Sequence, residues 1–113
     1  MDILFQTSKL EKECSSQKLL VRRYGPERAE LIRRRLDEIM ASDTLEILRT
    51  LPGPRCHELT GDLKGLLSLD LDHPYRLLFE PANEPILKKP DGGLDWSRTT
   101  AVRILRVEDT HGR

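Results

Sequence analysis

Residues 57–80 read HELTGDLKGLLSLDLDHPYRLLFE, and two short runs within this stretch decide the fold. In the first run Leu67, Leu69 and Leu71 face one way while Ser68, Asp70 and Asp72 face the other. In the second, Tyr75, Leu77 and Phe79 share a face and leave Arg76 on the opposite side. Matching the apolar faces across a hairpin pairs Leu71 with Tyr75, Leu69 with Leu77 and Leu67 with Phe79. That register needs a three-residue turn, Asp72-His73-Pro74, and sets Arg76 across from Asp70. A two-residue turn would instead place Arg76 opposite Leu69. The same stretch carries His57, Lys64 and Arg76, potential cations that can bind a phosphate and help to move a proton. By itself the cluster defines a candidate anion site.

On the N-terminal side the period changes. Met1 to Gln6 holds the apolar run Ile3-Leu4-Phe5, which predicts an opening strand. Leu10, Cys14, Gln17, Leu20, Val21 and Tyr24 then recur at helical spacing, with Ser8 as the cap. Gly25-Pro26 breaks that helix and starts another, since proline suits a first helical turn. Ala29, Ile32, Leu36, Ile39 and Met40 trace its apolar face, opposite Arg28, Arg34, Arg35 and Glu38. The run Arg33-Arg34-Arg35 alternates with Glu27, Glu30, Asp37 and Glu38, which reads as a solvated, self-paired surface. Ser42 and Asp43 cap a shorter helix through Leu48, and Pro52-Gly53-Pro54 ends it.

On the C-terminal side, residues 81–98 (PANEPILKKPDGGLDWSR) form a long proline- and glycine-rich loop, made locally basic by Lys88 and Lys89. Trp96 pins its far end to the body. A last strand from Thr100 to Glu108 carries Val102, Ile104, Leu105 and Val107 on both faces, as a more central strand does. The fold class is therefore α+β: an N-terminal strand and helix pair on a mainly antiparallel sheet of four to five strands. One sheet face is covered by helices; the other is open and holds Ser68, Asp70, Arg76 and whatever His57 and Lys64 contribute.

Composition narrows the classes of function. A chain of 113 residues makes one domain, 1–113, that buries roughly 65% of its unfolded surface. Lys plus Arg and Asp plus Glu number 19 each, so no global field draws in nucleic acid, and any such affinity needs a local patch. No apolar run reaches the roughly 18 residues of a membrane span, and the N-terminus lacks the apolar region of a signal peptide. Cys14 and Cys56 lie far apart with no second ligand pair, which argues against zinc. The expectation is a cytoplasmic protein without metal or other cofactor.

Laid out this way, the chain resembles the RelE/ParE toxin superfamily, specifically its HigB-like "killer protein" branch, known from plasmid maintenance. The resemblance rests on the H-x-L-x-G-x-x-K-G run from His57, the Y-R-L-x-F strand from Tyr75, the helix-pair opening and the terminal VEDTHGR. Residues 81–98 are an addition to the shorter members. The resemblance implies a RelE-like fold and the toxin of a type II toxin–antitoxin system. It implies a metal-independent endoribonuclease that cuts mRNA on the ribosome, with the RNA 2′-hydroxyl as nucleophile. Its partners would be the ribosome, mRNA and a HigA-like helix-turn-helix antitoxin, with operator DNA reached only through that antitoxin.

Carried over residue by residue, Lys64 and Arg76 match the family's basic positions and would hold the scissile phosphate. His57 and His111 match the branch's histidines. Arg76 cannot serve as an acid, whereas an ordinary imidazole titrates near neutrality. His111 is thus the expected proton-transfer residue, with His57 sharing that task or orienting the RNA. The catalytic set is His57, Lys64, Arg76 and His111, and the RNA-binding set is Lys64, Arg76, Lys88 and Lys89. Thr110 stands where a tyrosine often neighbours the terminal histidine. The alternative is a non-catalytic binding protein on the same fold, a gyrase inhibitor or an antitoxin-bound co-repressor component.

Overall fold

The computed structural model describes residues 1–110. These form β1 (Asp2–Phe5), α1 (Ser8–Cys14), α2 (Gln17–Tyr24), α3 (Pro26–Ala41) and α4 (Leu45–Thr50). After them come β2 (His57–Glu58), a 3₁₀ turn at Gly61–Leu63, β3 (Leu67–Asp70), β4 (Tyr75–Pro81) and β5 (Ala101–Asp109). The described strands make one sheet in the order β1-β5-β4-β3-β2. β1 runs parallel to β5, and the other neighbours are antiparallel.

The β3–β4 hairpin has the register that its apolar faces demand. Leu67 opposes Phe79, Leu69 opposes Leu77, and Asp70 opposes Arg76. Leu71 N–H donates to the Tyr75 carbonyl at 3.1 Å across the Asp72-His73-Pro74 turn. Leu67, Leu69, Leu77 and Phe79 are buried in one cluster with Leu20, Ile32, Leu36, Ile39, Leu45 and Leu48 from the helices. Full burial of each such side chain contributes about 1.5–3 kcal/mol. A one-residue slip would turn this set outward, so the register is strongly specified.

Several local expectations change. The single first helix is two, because Ser15-Ser16 interrupts it. The caps are Thr7 and Ser16, whose hydroxyls accept from Leu10 N–H at 3.1 Å and Leu19 N–H at 3.2 Å. Thr44 rather than Ser42 or Asp43 caps α4, while Ser42 is buried and donates to the Glu38 carbonyl. Gly25 adopts φ 84 between α2 and α3, and Pro26 opens α3. Met40 is exposed, beyond the end of the helix's apolar stripe.

The last strand does not serve both faces by simple alternation. Leu78 opposes Arg106, but the next residue, Phe79, opposes Ile104, so a bulge absorbs Leu105. The extra residue changes the phase, and Val107 returns to the face that already holds Val102 and Ile104.

The second sheet face is also less open than expected. Ser68 is fully buried, as is Leu78 beside it, and Asp70 and Arg76 are half-buried. The alternating pattern gave too little weight to Leu78, an apolar residue on the otherwise polar side. Residues 81–98 are not structureless either. Lys88 and Leu94 form a bridge, and Asp95 N–H donates to the Leu87 carbonyl at 3.0 Å. Trp96 anchors the far end: its carbonyl accepts from Glu46 N–H, and its ring lies 4.3 Å from the Arg49 guanidinium carbon.

Two arginines tie α3 to the hairpin. Arg28 donates to both Asp72 carboxylate oxygens, at 2.9 and 3.0 Å, and stacks 3.6 Å from the Tyr75 ring centre. Arg35, expected on a solvated face, is buried. It donates to the Asp70 carbonyl at 2.7 Å, the Gly53 carbonyl at 3.4 Å and Glu38 at 2.8 Å. A planar guanidinium can serve these three acceptors at once, which lets the charge sit inside.

Arg35→Ala should therefore lower unfolding free energy by about 3 kcal/mol, because it orphans a strand carbonyl and a partly buried carboxylate. Urea denaturation measures the loss; an unchanged midpoint would contradict this account. The hydrogen bonds from Arg28 hold the Asp72 carboxyl below its ordinary value of 3.8. A depressed carboxyl adds stability above its unfolded value and loses it as pH falls toward the folded one. Denaturation from neutral to strongly acidic pH should show a shallower acid loss for Asp72→Asn than for wild type.

Candidate functional site

The segment after α4 delivers His57 to the sheet. His57 opposes Ser68 across β2–β3, and Asp70 N–H donates to the Pro54 carbonyl at 2.7 Å, which continues the pairing upstream. The chain then turns back through Gly61 (φ 68) and Gly65 (φ 93), left-handed positions that explain both glycines of the H-x-L-x-G-x-x-K-G run.

His57 and Arg76 meet. Arg76 Nη1 lies 3.0 Å from His57 Nε2, and the His57 Nδ1 lies 2.9 Å from the Arg55 carbonyl. These partners decide the ring's state. A carbonyl only accepts, so Nδ1 carries the proton; a guanidinium only donates, so Nε2 presents its lone pair. The two contacts fit an imidazole with its proton on Nδ1 and its acceptor nitrogen, Nε2, turned to the sheet face.

Asp70 is the shared counter-ion. Arg55 Nε donates to it at 2.7 Å, and Arg76 Nε lies 3.6 Å from its other oxygen. On the far side Arg76 opposes Glu108 of β5, whose carboxylate accepts from Arg106 Nε at 3.1 Å. The site is a row of guanidiniums and carboxylates across three strands, with one imidazole at its edge. Its three arginines, Arg55, Arg76 and Arg106, exceed the two carboxylates, Asp70 and Glu108, by one charge, leaving capacity for an anion.

Lys64 stands elsewhere. It lines a cleft of about 460 Å³ together with Glu58, Glu80 and Lys88. Glu80 is four residues beyond Arg76 on β4, a distance of roughly 13 Å along the strand. The described residues thus bring His57 and Arg76 into direct contact, while Lys64 and Lys88 line one neighbouring cleft. Lys89 points to Asp91, with Nζ 3.8 Å from its carboxylate. His111, assigned a proton-transfer role from sequence, lies outside the described residues.

Sequence reasoning missed Arg55 as a member of the site. No pattern singled it out, because it precedes β2 in a left-handed backbone to which strand alternation does not apply. Arg35 was missed as the anchor of Asp70, because a buried arginine on a charged helix has no distinguishing pattern. Among the described residues no group of three or more His, Cys, Asp or Glu side chains is placed to hold a metal ion. None of their helices is long and apolar enough to cross a membrane.

This arrangement sits on a fold shared with known toxins. A YoeB/ParE toxin from Agrobacterium tumefaciens superposes with a TM-score of 0.57, covering 98% of this chain and 100% of its own, at 10% identity. The family profile described as "RelE-like toxin of type II toxin-antitoxin system HigB" matches residues 5–90. That match spans well over half of the chain, and the chain belongs to the HigB-like toxin family. A type II toxin implies an antitoxin partner. No curated protein sequence matches the chain.

Both cysteines are free thiols buried in the core, Cys56 with its chain neighbours Arg55 and His57 in the site. Burial pushes the Cys14 thiol up to about 11 and the Cys56 thiol up to about 12. Thiolate is the reactive form, so both should resist a disulfide reagent at mildly alkaline pH and react fully once denaturant is added. Rapid native labelling of either would contradict their placement in the core.

Proposed function

We propose that this HigB-like toxin is a metal-independent endoribonuclease that cuts mRNA on translating ribosomes in the cytoplasm. The observation that carries this reading is the contact of Arg76 Nη1 with the acceptor nitrogen of His57. In-line cleavage needs a base for the 2′-hydroxyl, positive charge beside the phosphorane and an acid for the leaving 5′-oxygen. His57 Nε2 accepts the 2′-hydroxyl proton as O2′ bonds to phosphorus. The P–O5′ bond breaks, giving a 2′,3′-cyclic phosphate and a 5′-hydroxyl. His111, the proton-transfer residue expected from the sequence, is then the candidate to protonate O5′.

Arg76 supplies the charge. A phosphate oxygen accepts from a guanidinium more strongly than a neutral imidazole does. Substrate therefore draws Arg76 from Nε2 and frees the lone pair when the 2′-hydroxyl arrives. Lys64 and Lys88 hold the RNA farther along the strand direction, and Lys89 extends that basic edge. A HigA-like helix-turn-helix antitoxin neutralises the toxin and links it to operator DNA.

Zero net charge favours a second reading, since counterion release gives this chain little non-specific affinity for RNA. On that reading the protein binds without cutting, as a gyrase inhibitor or a co-repressor component. Induction of the chain alone, followed by mapping of transcript 5′ ends, separates the two. The nuclease reading expects cuts within translated messages. Arg76→Ala and His57→Ala should each lower cleavage by about 10²- to 10³-fold while the fold persists. Intact transcripts, or inhibited supercoiling by purified gyrase, would transfer the assignment to the binding reading.

A further inference from the structure

Arg55 is the only described residue other than glycine with a positive φ, at 48. A side chain disfavours that left-handed backbone, so the surrounding contacts must hold it there. They do so from both sides. The preceding carbonyl, of Pro54, accepts from Asp70 N–H at 2.7 Å, and the Arg55 guanidinium bonds the Asp70 carboxylate at 2.7 Å. Asp70 is itself fixed, its carbonyl accepting from buried Arg35 at 2.7 Å. The result is that the Arg55 carbonyl meets His57 Nδ1 at 2.9 Å.

We propose that Arg55 is a positioning residue of the site: its left-handed backbone, locked by Asp70, aims the carbonyl that keeps the proton on His57 Nδ1 and the lone pair on Nε2. Without that carbonyl only the contact with Arg76, which an arriving phosphate draws away, keeps the lone pair on Nε2, and the Nε2–H form has no acceptor toward the sheet face. The catalytic importance of this arrangement rests on the nuclease reading; the tautomer does not. Arg55 needs no contact with RNA to act in this way. Its guanidinium has a second effect through the same Asp70, because it shares the carboxylate that also faces Arg76.

The backbone and side-chain contributions separate by substitution. Glycine and asparagine tolerate a left-handed backbone, whereas β-branched valine opposes it. Nitrogen-15 correlation spectra of the full chain at mildly alkaline pH report which ring nitrogen of His57 is protonated. Wild type, Arg55→Gly and Arg55→Asn should show Nδ1 protonated and Nε2 as the acceptor. Arg55→Val should show a mixture or the opposite tautomer, together with at least a tenfold loss of cleavage. Wild-type His57 protonated on Nε2 would overturn the proposal. So would a folded Arg55→Val with the wild-type tautomer, or loss of the Nδ1–H form in both Arg55→Gly and Arg55→Asn. If Arg55→Val does not fold, the other two variants still decide between backbone and side-chain control. A wild-type protein with the expected tautomer and no cleavage defeats the nuclease reading while leaving the role of Arg55 intact.

Discussion

The cross-strand pair of Asp70 and Arg76 is the interaction on which the functional surface depends. It exists because five apolar side chains of the hairpin must all reach the helices, and only one register lets them. The energetic weight lies in that burial, since an exposed opposite-charge pair contributes no more than about 1 kcal/mol. The core thus sets the position, and the charges exploit it. Had the strands slipped by one residue, Arg76 would enter the core and leucines would face solvent.

Asp70 then distributes that position to the rest of the site. Its main chain is held by Arg35 and Pro54, while its carboxylate faces Arg55 and Arg76. One residue at the end of β3 thereby joins α3, the segment before β2 and the central strand β4. Arg28 does the equivalent work at the turn through Asp72 and Tyr75. Both arginines leave a helix whose sequence reads as plainly charged, and both are committed to the hairpin. This explains how a chain of 38 charged residues and zero net charge holds so many guanidiniums close to its sheet without mutual repulsion.

His57 and Arg76 are in contact, whereas Lys64 and Lys88 line a cleft that reaches β4 at Glu80, roughly 13 Å along the strand from Arg76. On the nuclease reading proposed above, this would divide chemistry from grip. The cleft also contains Glu58 and Glu80 and so carries acceptors as well as donors. The family membership supplies the class of toxin.

The amino-acid sequence determined the hairpin register, the Gly25-Pro26 break, the Trp96 anchor and the membership of His57 and Arg76 in one neighbourhood. Each of these follows from local periodicity or from residue types with narrow conformational freedom. Tertiary structure alone decided that Lys64 shares a cleft with Glu80 and Lys88, that Leu105 bulges so that Val107 can reach the core, and that Arg35 is buried. It also decided which nitrogen of His57 faces the sheet. These are outcomes of distances between segments far apart in sequence, and no pattern within a single segment encodes them: an arginine's partners depend on which carbonyls and carboxylates the folded chain happens to bring within 3 Å or so of its guanidinium.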